Sequence, residues 1–321
     1  MNRKILSITT ASNWAMELES FKALQRSVKM ASDDSLGLDL KIEDPTYQVF
    51  NSVAIIPIKG VLSKNVSIIE KILFDVIDID NISQMFSAAN RDEDVDAIVL
   101  DISSPGGNVA GIAESYDQIS ASSKPVIAFT DETIASAAYW IASAASVIYA
   151  TKSADLGSVG VFASFIDYSK AFEQQGLRAE VIVSTGSKFK GAGIMGTSLT
   201  DEQRDQIQGE VDYLNGMFLA DINAKREIAK EDLAGQTFIG ELALKSGYVD
   251  SIVGTIDAAI QDSLVLANKD FDINAESAAT TYNCECIKCG YKVKSEKHCN
   301  TFKCAKCGGE MRREERPGPG R

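Results

Sequence analysis

DAIVLDISSPGGNVAGIAESYDQIS, residues 96–120, reads as an apolar strand, a glycine turn and an amphipathic helix in immediate succession. The run Ala97 to Ile102 is β-rich and short. Ser103-Ser104-Pro105-Gly106-Gly107 stops it, and Asn108 is placed to cap a helix reaching about Ser120. The same texture repeats on both sides. Val53 to Ile58 is a buried strand followed by Gly60, and Asp78 to Arg91 a helix. Pro125 to Phe129 is a third strand, and Ser136 to Ala145 an Ala-rich helix. Short strands are expected at 147–150, 159–162 and 180–183, and helices at 167–175 and 200–225. Strands alternating with helices predict an α/β domain with mostly parallel pairing. Ahead of it, Trp14 to Ala31 has the spacing of one amphipathic helix. The small, acidic stretch from about Asp270 to Tyr282 reads as a linker.

Composition narrows the function. The 321 residues are 45% hydrophobic and 24% charged, with a net charge of −13. From Cys284 onward there are ten basic and five acidic residues, so the preceding 283 residues hold 22 basic against 40 acidic. Such an acidic main domain repels phosphates and is a poor nucleic-acid binder. No window reaches the ~20 apolar residues of a membrane span, and the N-terminus lacks a signal peptide's continuous apolar run. A soluble, cytoplasmic protein is expected.

All six cysteines lie between 284 and 307. Cys286-x-x-Cys289-Gly290 and Cys304-x-x-Cys307-Gly308 form two knuckles of the kind that grip one tetrahedral ion. The expectation is a structural zinc ribbon in a reducing compartment. Cys284, His298 and Cys299 are spare.

The single histidine, His298, falls inside that cysteine cluster. A nucleophilic serine in the main domain therefore needs another base, and a lysine made neutral by burial is the available type. Ser136, in TIASAAYW (133–140), stands at the start of a helix among small residues. Taken alone it reads as a helix cap. Glycines at 106 and 107 could present N–H groups to an oxyanion. GSKFKGAG (186–193) supplies Lys188 and Lys190.

The order LDISSPGG (100–107), IASAAYW (134–140), GSVGV (157–161) and SKFKGAG (187–193) resembles the signal peptide peptidase A family, in particular its phage head-maturation (prohead) protease branch. The resemblance spans about 52–255. It implies a ClpP/crotonase-like α/β spiral, with Ser136 as nucleophile and Gly106 or Gly107 with Ala137 as oxyanion donors. Ser158 would orient the lysine amine. Alignment from the preceding strand makes Lys188 the base. Alignment from Gly193 and Leu199–Glu202 makes it Lys190, the assignment adopted. The organisation implied is an N-terminal helical extension (1–51), a peptidase domain (52–265), a linker (266–283) and a zinc ribbon with a basic tail (284–321). The resemblance further implies a homo-oligomeric ring in the host cytoplasm or prohead, acting on scaffold and head proteins. A cellular signal-peptide-peptidase-like enzyme, a crotonase-type acyl-CoA enzyme and a non-catalytic assembly protein are the competing readings.

Overall fold

The computed structural model describes residues 13–16, 46–66, 70–71, 75–267, 282–295 and 299–313. Its centre is a six-stranded sheet. Four of its strands, β3 (Val53–Lys59), β6 (Ala97–Ser103), β8 (Val126–Thr130) and β10 (Val147–Ala150), run parallel in that spatial order. β14 (Ser251–Ile252) extends one edge in parallel, and β2 (Gln48–Phe50) closes the other antiparallel to β3. Every residue of β8 and most of β6 is buried, as expected of a parallel sheet covered on both faces. Side chains alternate along β3. Ala54, Ile56 and Ile58 join the main core, while Val53 faces α7 (Ile256–Leu266) through Ala259, Ile260 and Leu264.

Each inner strand leaves the sheet through a sharp bend and starts a second strand in another layer. β3 continues into β4 (Val61–Ser63), which pairs with β5 (Val76–Asp78). β6 continues into β7 (Gly106–Asn108), β8 into β9 (Thr133–Ala135) and β10 into β11 (Asp155–Gly157). The first three excursions are each followed by a helix: α1 (Ile79–Arg91), α2 (Ile112–Ser120) and α3 (Ala137–Ser143). This repeated strand–bend–strand–helix unit gives the α/β spiral that the family resemblance implied. Gly60 illustrates its local cause. It takes φ +94°, and a Cβ there would lie 2.0 Å from the Asp75 carbonyl oxygen.

The long α5 (Asp201–Asn223) follows β12 (Phe162–Ala163) and the short α4 (Ser169–Gln174). Thr200 and Gln203 cap α5 reciprocally. Its C-terminal turns are anchored to the main core. Phe218 stacks on Trp140 at 4.6 Å between ring centroids, Trp140 Nε1 donates to Asp221 at 2.7 Å, and Tyr116 donates to the Asp221 carbonyl at 2.8 Å. Residues 160–217 include no buried residue. They form an arm without a core of its own, and Leu177, Ile182, Phe189, Ile194 and Met195 are exposed on it.

Several local expectations are corrected. Trp14 to Met16 belong to a strand, β1 (Asn13–Met16), because pairing with β7 overrides the helical spacing. The rest of that segment, 17–31, lies outside the described residues. Asn108 does not cap α2. It closes β7 and its Oδ1 accepts from Ala110 N–H, while Gly111 (φ +87°) precedes the helix. Residues 180–183 are exposed coil, since no strand among the described residues pairs with them to complete a ladder. The 159–162 strand is reduced to β12. By itself, the C-terminal unit is a three-stranded antiparallel sheet in which β15 (Tyr282–Cys286) lies between β16 (Lys292–Ser295) and β17 (Met311–Arg313). Among the described residues no helix is long and apolar enough to cross a membrane.

Candidate active site

Ser136 precedes α3 but does not cap it. Its side chain makes no capping hydrogen bond, and its backbone takes φ +54°, ψ −119°, a conformation costly for a residue with a Cβ. The bend is fixed on both sides, because Ser136 N–H donates to Gly157 O at 2.7 Å and Trp140 N–H to Ser136 O at 2.9 Å. The helix behind it is buried at every residue. Tyr139 donates to the Tyr248 carbonyl at 3.0 Å and Trp140 is held as described, so the bend rests on a rigid support. Burial pushes the Tyr139 phenol well above its ordinary range, so it stays a neutral donor. Ser136 is itself 1% exposed, and its Oγ lies 3.4 Å from the Gly160 carbonyl.

The neighbouring groups arrive by strand register. Gly157 of β11 is opposite Ala135 of β9, so Ser158 and Ser136 follow from adjacent parallel strands. Both take positive φ, 52° at Ser158. On the other side, Ser104 N–H donates to Thr133 O at 2.8 Å and Ala135 N–H to Ser104 O at 3.1 Å. This pins the end of β6 against β9 and carries β7 alongside α3. Gly107 has to be glycine: a Cβ would stand 1.9 Å from the Leu62 carbonyl oxygen. Ala137 N–H belongs to the first turn of α3, whose donors have no partner within the helix.

Sequence reasoning missed Ser104. Fully buried, its hydroxyl accepts the Gly106 N–H at 3.2 Å, so that anticipated oxyanion donor is engaged at rest. The only sequence signal was its place in Ser-Ser-Pro-Gly-Gly. Nearby, Ser103 donates to Glu132, and Lys59 pairs with Asp101 at 2.6 Å.

The lysines are not gathered here. Lys188 Nζ pairs with Glu202 at 3.1 Å, and Lys190 is exposed on the arm. Neither donates to Ser136 or Ser158. One chain therefore brings together Ser136, Ser158, Gly106, Gly107 and Ala137, and leaves both candidate bases outside.

In the C-terminal unit the thiols of Cys286, Cys289, Cys304 and Cys307 all lie within 4.8 Å of one another. Cys286 and Cys307 approach to 3.5 Å, and Cys289 and Cys304 to 3.6 Å. Four thiolates around one ion at Zn–S of about 2.3 Å stand about 3.8 Å apart, so the donor set fits a tetrahedral metal. Each knuckle closes through its glycine, with Gly290 N–H donating to Cys286 O and Gly308 N–H to Cys304 O. Burial opposes charge on Cys286, but backbone N–H groups of Cys289 and Lys288 and the neighbouring thiols outweigh it and hold this thiol down to about 6. Cys284 and Cys299, spare in the motif, are joined by a disulfide. The reading of the cysteine cluster as a metal site in a reducing compartment does not anticipate that pairing. His298 lies outside the described residues.

Residues 118–269 match Peptidase family S49. The capsid assembly protease C of Escherichia phage lambda is 30% identical over 218 residues, 66% of this chain and 49% of that protein. The head-tail preconnector protein GP5 of Enterobacteria phage P21 is 29% identical over 217 residues, 66% of this chain and 43% of its own. The chain thus spans about half the length, or less, of these curated relatives. A solved enoyl-CoA hydratase from Shewanella pealeana aligns over 70% of this chain and 73% of its own, with a TM-score of 0.43 and 11% identity. The stretch that matches Peptidase family S49, residues 118–269, contains Ser136, Ser158 and both candidate lysines.

Proposed function

We propose that the protein is a serine endopeptidase of phage head maturation that works as a homo-oligomer and cleaves scaffold and head proteins. The observation that carries this reading is Ser136: buried, uncapped and strained at the bend where β7, β9 and β11 converge. Similarity to the capsid assembly protease C of phage lambda and the head-tail preconnector protein GP5 of phage P21 supports the phage head setting. Lys190 is the base. Since it stands on a coreless, apolar arm away from its own Ser136, it reaches the Ser136 of a neighbouring copy, in a ring whose contacts cover the arm.

In the assembled site Lys190 takes the Ser136 Oγ proton and Oγ attacks the peptide carbonyl. The oxyanion is stabilised by Ala137 N–H and by glycine N–H groups of β7, Gly106 being released from Ser104 for this purpose. The ammonium then protonates the leaving amine. Water, activated by the same lysine, cleaves the acyl–Oγ bond and regenerates the serine. Ser158 accepts from the amine and orients it. Incubation with a candidate phage scaffold protein tests the reading: wild-type protein cuts it and Ser136→Ala does not. Equal cutting by both would end the proposal.

Cys286, Cys289, Cys304 and Cys307 hold a structural zinc. Four protein ligands leave no open coordination position, so the metal braces the ribbon and takes no part in peptide hydrolysis. Elemental analysis should find about one zinc per chain, lost in Cys286→Ser. A metal-free wild-type protein would refute this.

A further inference from the structure

β1, the N-terminal strand, occupies an unexpected place. In its five-stranded sheet the order is β12–β1–β7–β4–β5. β1 runs antiparallel to β7, with Met16 opposite Gly106, Ala15 opposite Gly107 and Trp14 opposite Asn108. On its other edge it is antiparallel to β12, pairing Trp14 with Phe162 and Asn13 with Ala163. β7 bears the candidate oxyanion glycines. β12 begins two residues after Gly160, whose carbonyl faces Ser136 Oγ. An extended segment 90–94 residues from its partners in β7 and 148–150 from those in β12 is therefore clamped between the two strands that border the nucleophile. An exposed strand edge binds extended peptides by completing the ladder, with alternate side chains entering pockets. Met16, at the Gly106 register, is 3% exposed.

We propose that Asn13–Met16 is a tethered peptide ligand of the active site, which a substrate must displace before it can pair with β7. The segment also shows what that edge accepts: an extended peptide with an unbranched apolar side chain opposite Gly106. The inference rests on the reading of β7 and Ser136 as the peptidase site.

The test uses full-length Ser136→Ala protein, which cannot turn substrate over, and a fluorescein-labelled peptide of the sequence Ala11–Ser20. Binding is followed by fluorescence anisotropy. A tether presents its ligand at roughly millimolar effective concentration. Release of β1 by a second substitution, Met16→Asp, should therefore strengthen binding of the labelled peptide about tenfold against a ligand of ~100 μM affinity. Ala15→Pro, which spoils strand pairing without adding charge, should do the same. A labelled peptide bearing aspartate in place of Met16 should bind at least about tenfold more weakly to the released protein. Unchanged or weaker binding in both folded variants, or no binding by any of the proteins, overturns the proposal. Catalysis is read separately: scaffold cleavage with no strengthening here defeats this inference alone, and strengthening without Ser136-dependent cleavage defeats the peptidase reading alone.

Discussion

If Lys190 serves the serine of a neighbour, two inactive variants should repair each other. Ser136→Ala lacks the nucleophile and keeps Lys190, whereas Lys190→Ala keeps the nucleophile. Either lesion alone should lower kcat by about 10³-fold or more, since nucleophile and base act as a unit. The structure sets the outcome of mixing. Ser136 Oγ has the Gly160 carbonyl as its neighbour, and Lys190 is on the exposed arm. A complete site then draws one residue from each of two adjacent copies. In a random 1:1 ring the chance that one copy has Ser136 and the neighbour has Lys190 is about one quarter. Activity should rise to about one quarter of wild type, several hundredfold above either parent. Varying the mixing ratio should trace a symmetric curve peaking at equal amounts. The assay is scaffold cleavage by co-expressed chains carrying different tags, purified in tandem so that only mixed assemblies are measured. If the mixed assembly is no more active than its separate parents, base and nucleophile come from one chain and the reasoning about the arm is wrong. Lys188→Ala should stay within about twofold of wild type, because its amine is engaged by Glu202 on the exposed arm.

Gly107→Ala would place a Cβ 1.9 Å from the Leu62 carbonyl oxygen. It should abolish cleavage and cost about 1–3 kcal/mol in denaturant unfolding; a fully active, undiminished variant would show that β7 is not held against β4 as described. Trp140→Phe removes the 2.7 Å bond to Asp221, worth about 1.5–3 kcal/mol for a charged acceptor, and should lower Tm by several degrees. Burial already raises the Asp221 carboxyl and the Trp140 bond lowers it, so the variant should raise it further in a carboxylate titration followed by NMR. On the arm, the Ser169 hydroxyl and N–H and the Ser198 hydroxyl hold Asp167 down to about 2. A depressed carboxyl contributes its stabilisation above the unfolded value near 3.8 and loses it as pH falls through about 2. NMR of the arm should therefore show the 169–198 contacts intact at pH 4 and loosening towards pH 2. Titration of Asp167 at its ordinary value would refute that clasp.

Local sequence was enough where an element depends on its own residues. The apolar runs that predict β3, β6 and β8 hold because the parallel sheet is buried on both faces and needs only such runs at strand length. The knuckles were legible for the same reason. Two residues between cysteines and a following glycine define a turn, and Gly290 and Gly308 do adopt φ of 69° and 67°. The absence of any histidine ahead of His298 likewise restricts the type of base open to Ser136.

Tertiary structure decided whatever depends on partners remote in sequence. Trp14 to Met16 have helical spacing, but the backbone pairs offered by β7 and β12 outweigh a weak local preference. Ser136 has an ordinary cap residue's sequence context. Its positive φ is imposed by the Gly157 carbonyl on one side and the packed α3 on the other. The Cys284–Cys299 bridge depends on two chain segments meeting, which spacing does not encode. Lys190 is the sharpest case. Sequence supplies a lysine in the right order after Ser136, but order along the chain does not fix proximity in space, and an arm with no core leaves that lysine exposed on a single chain. Sequence thus determined the α/β layers, the thiol set and the chemical types at the site, while long-range packing decided which of those groups meet within one copy.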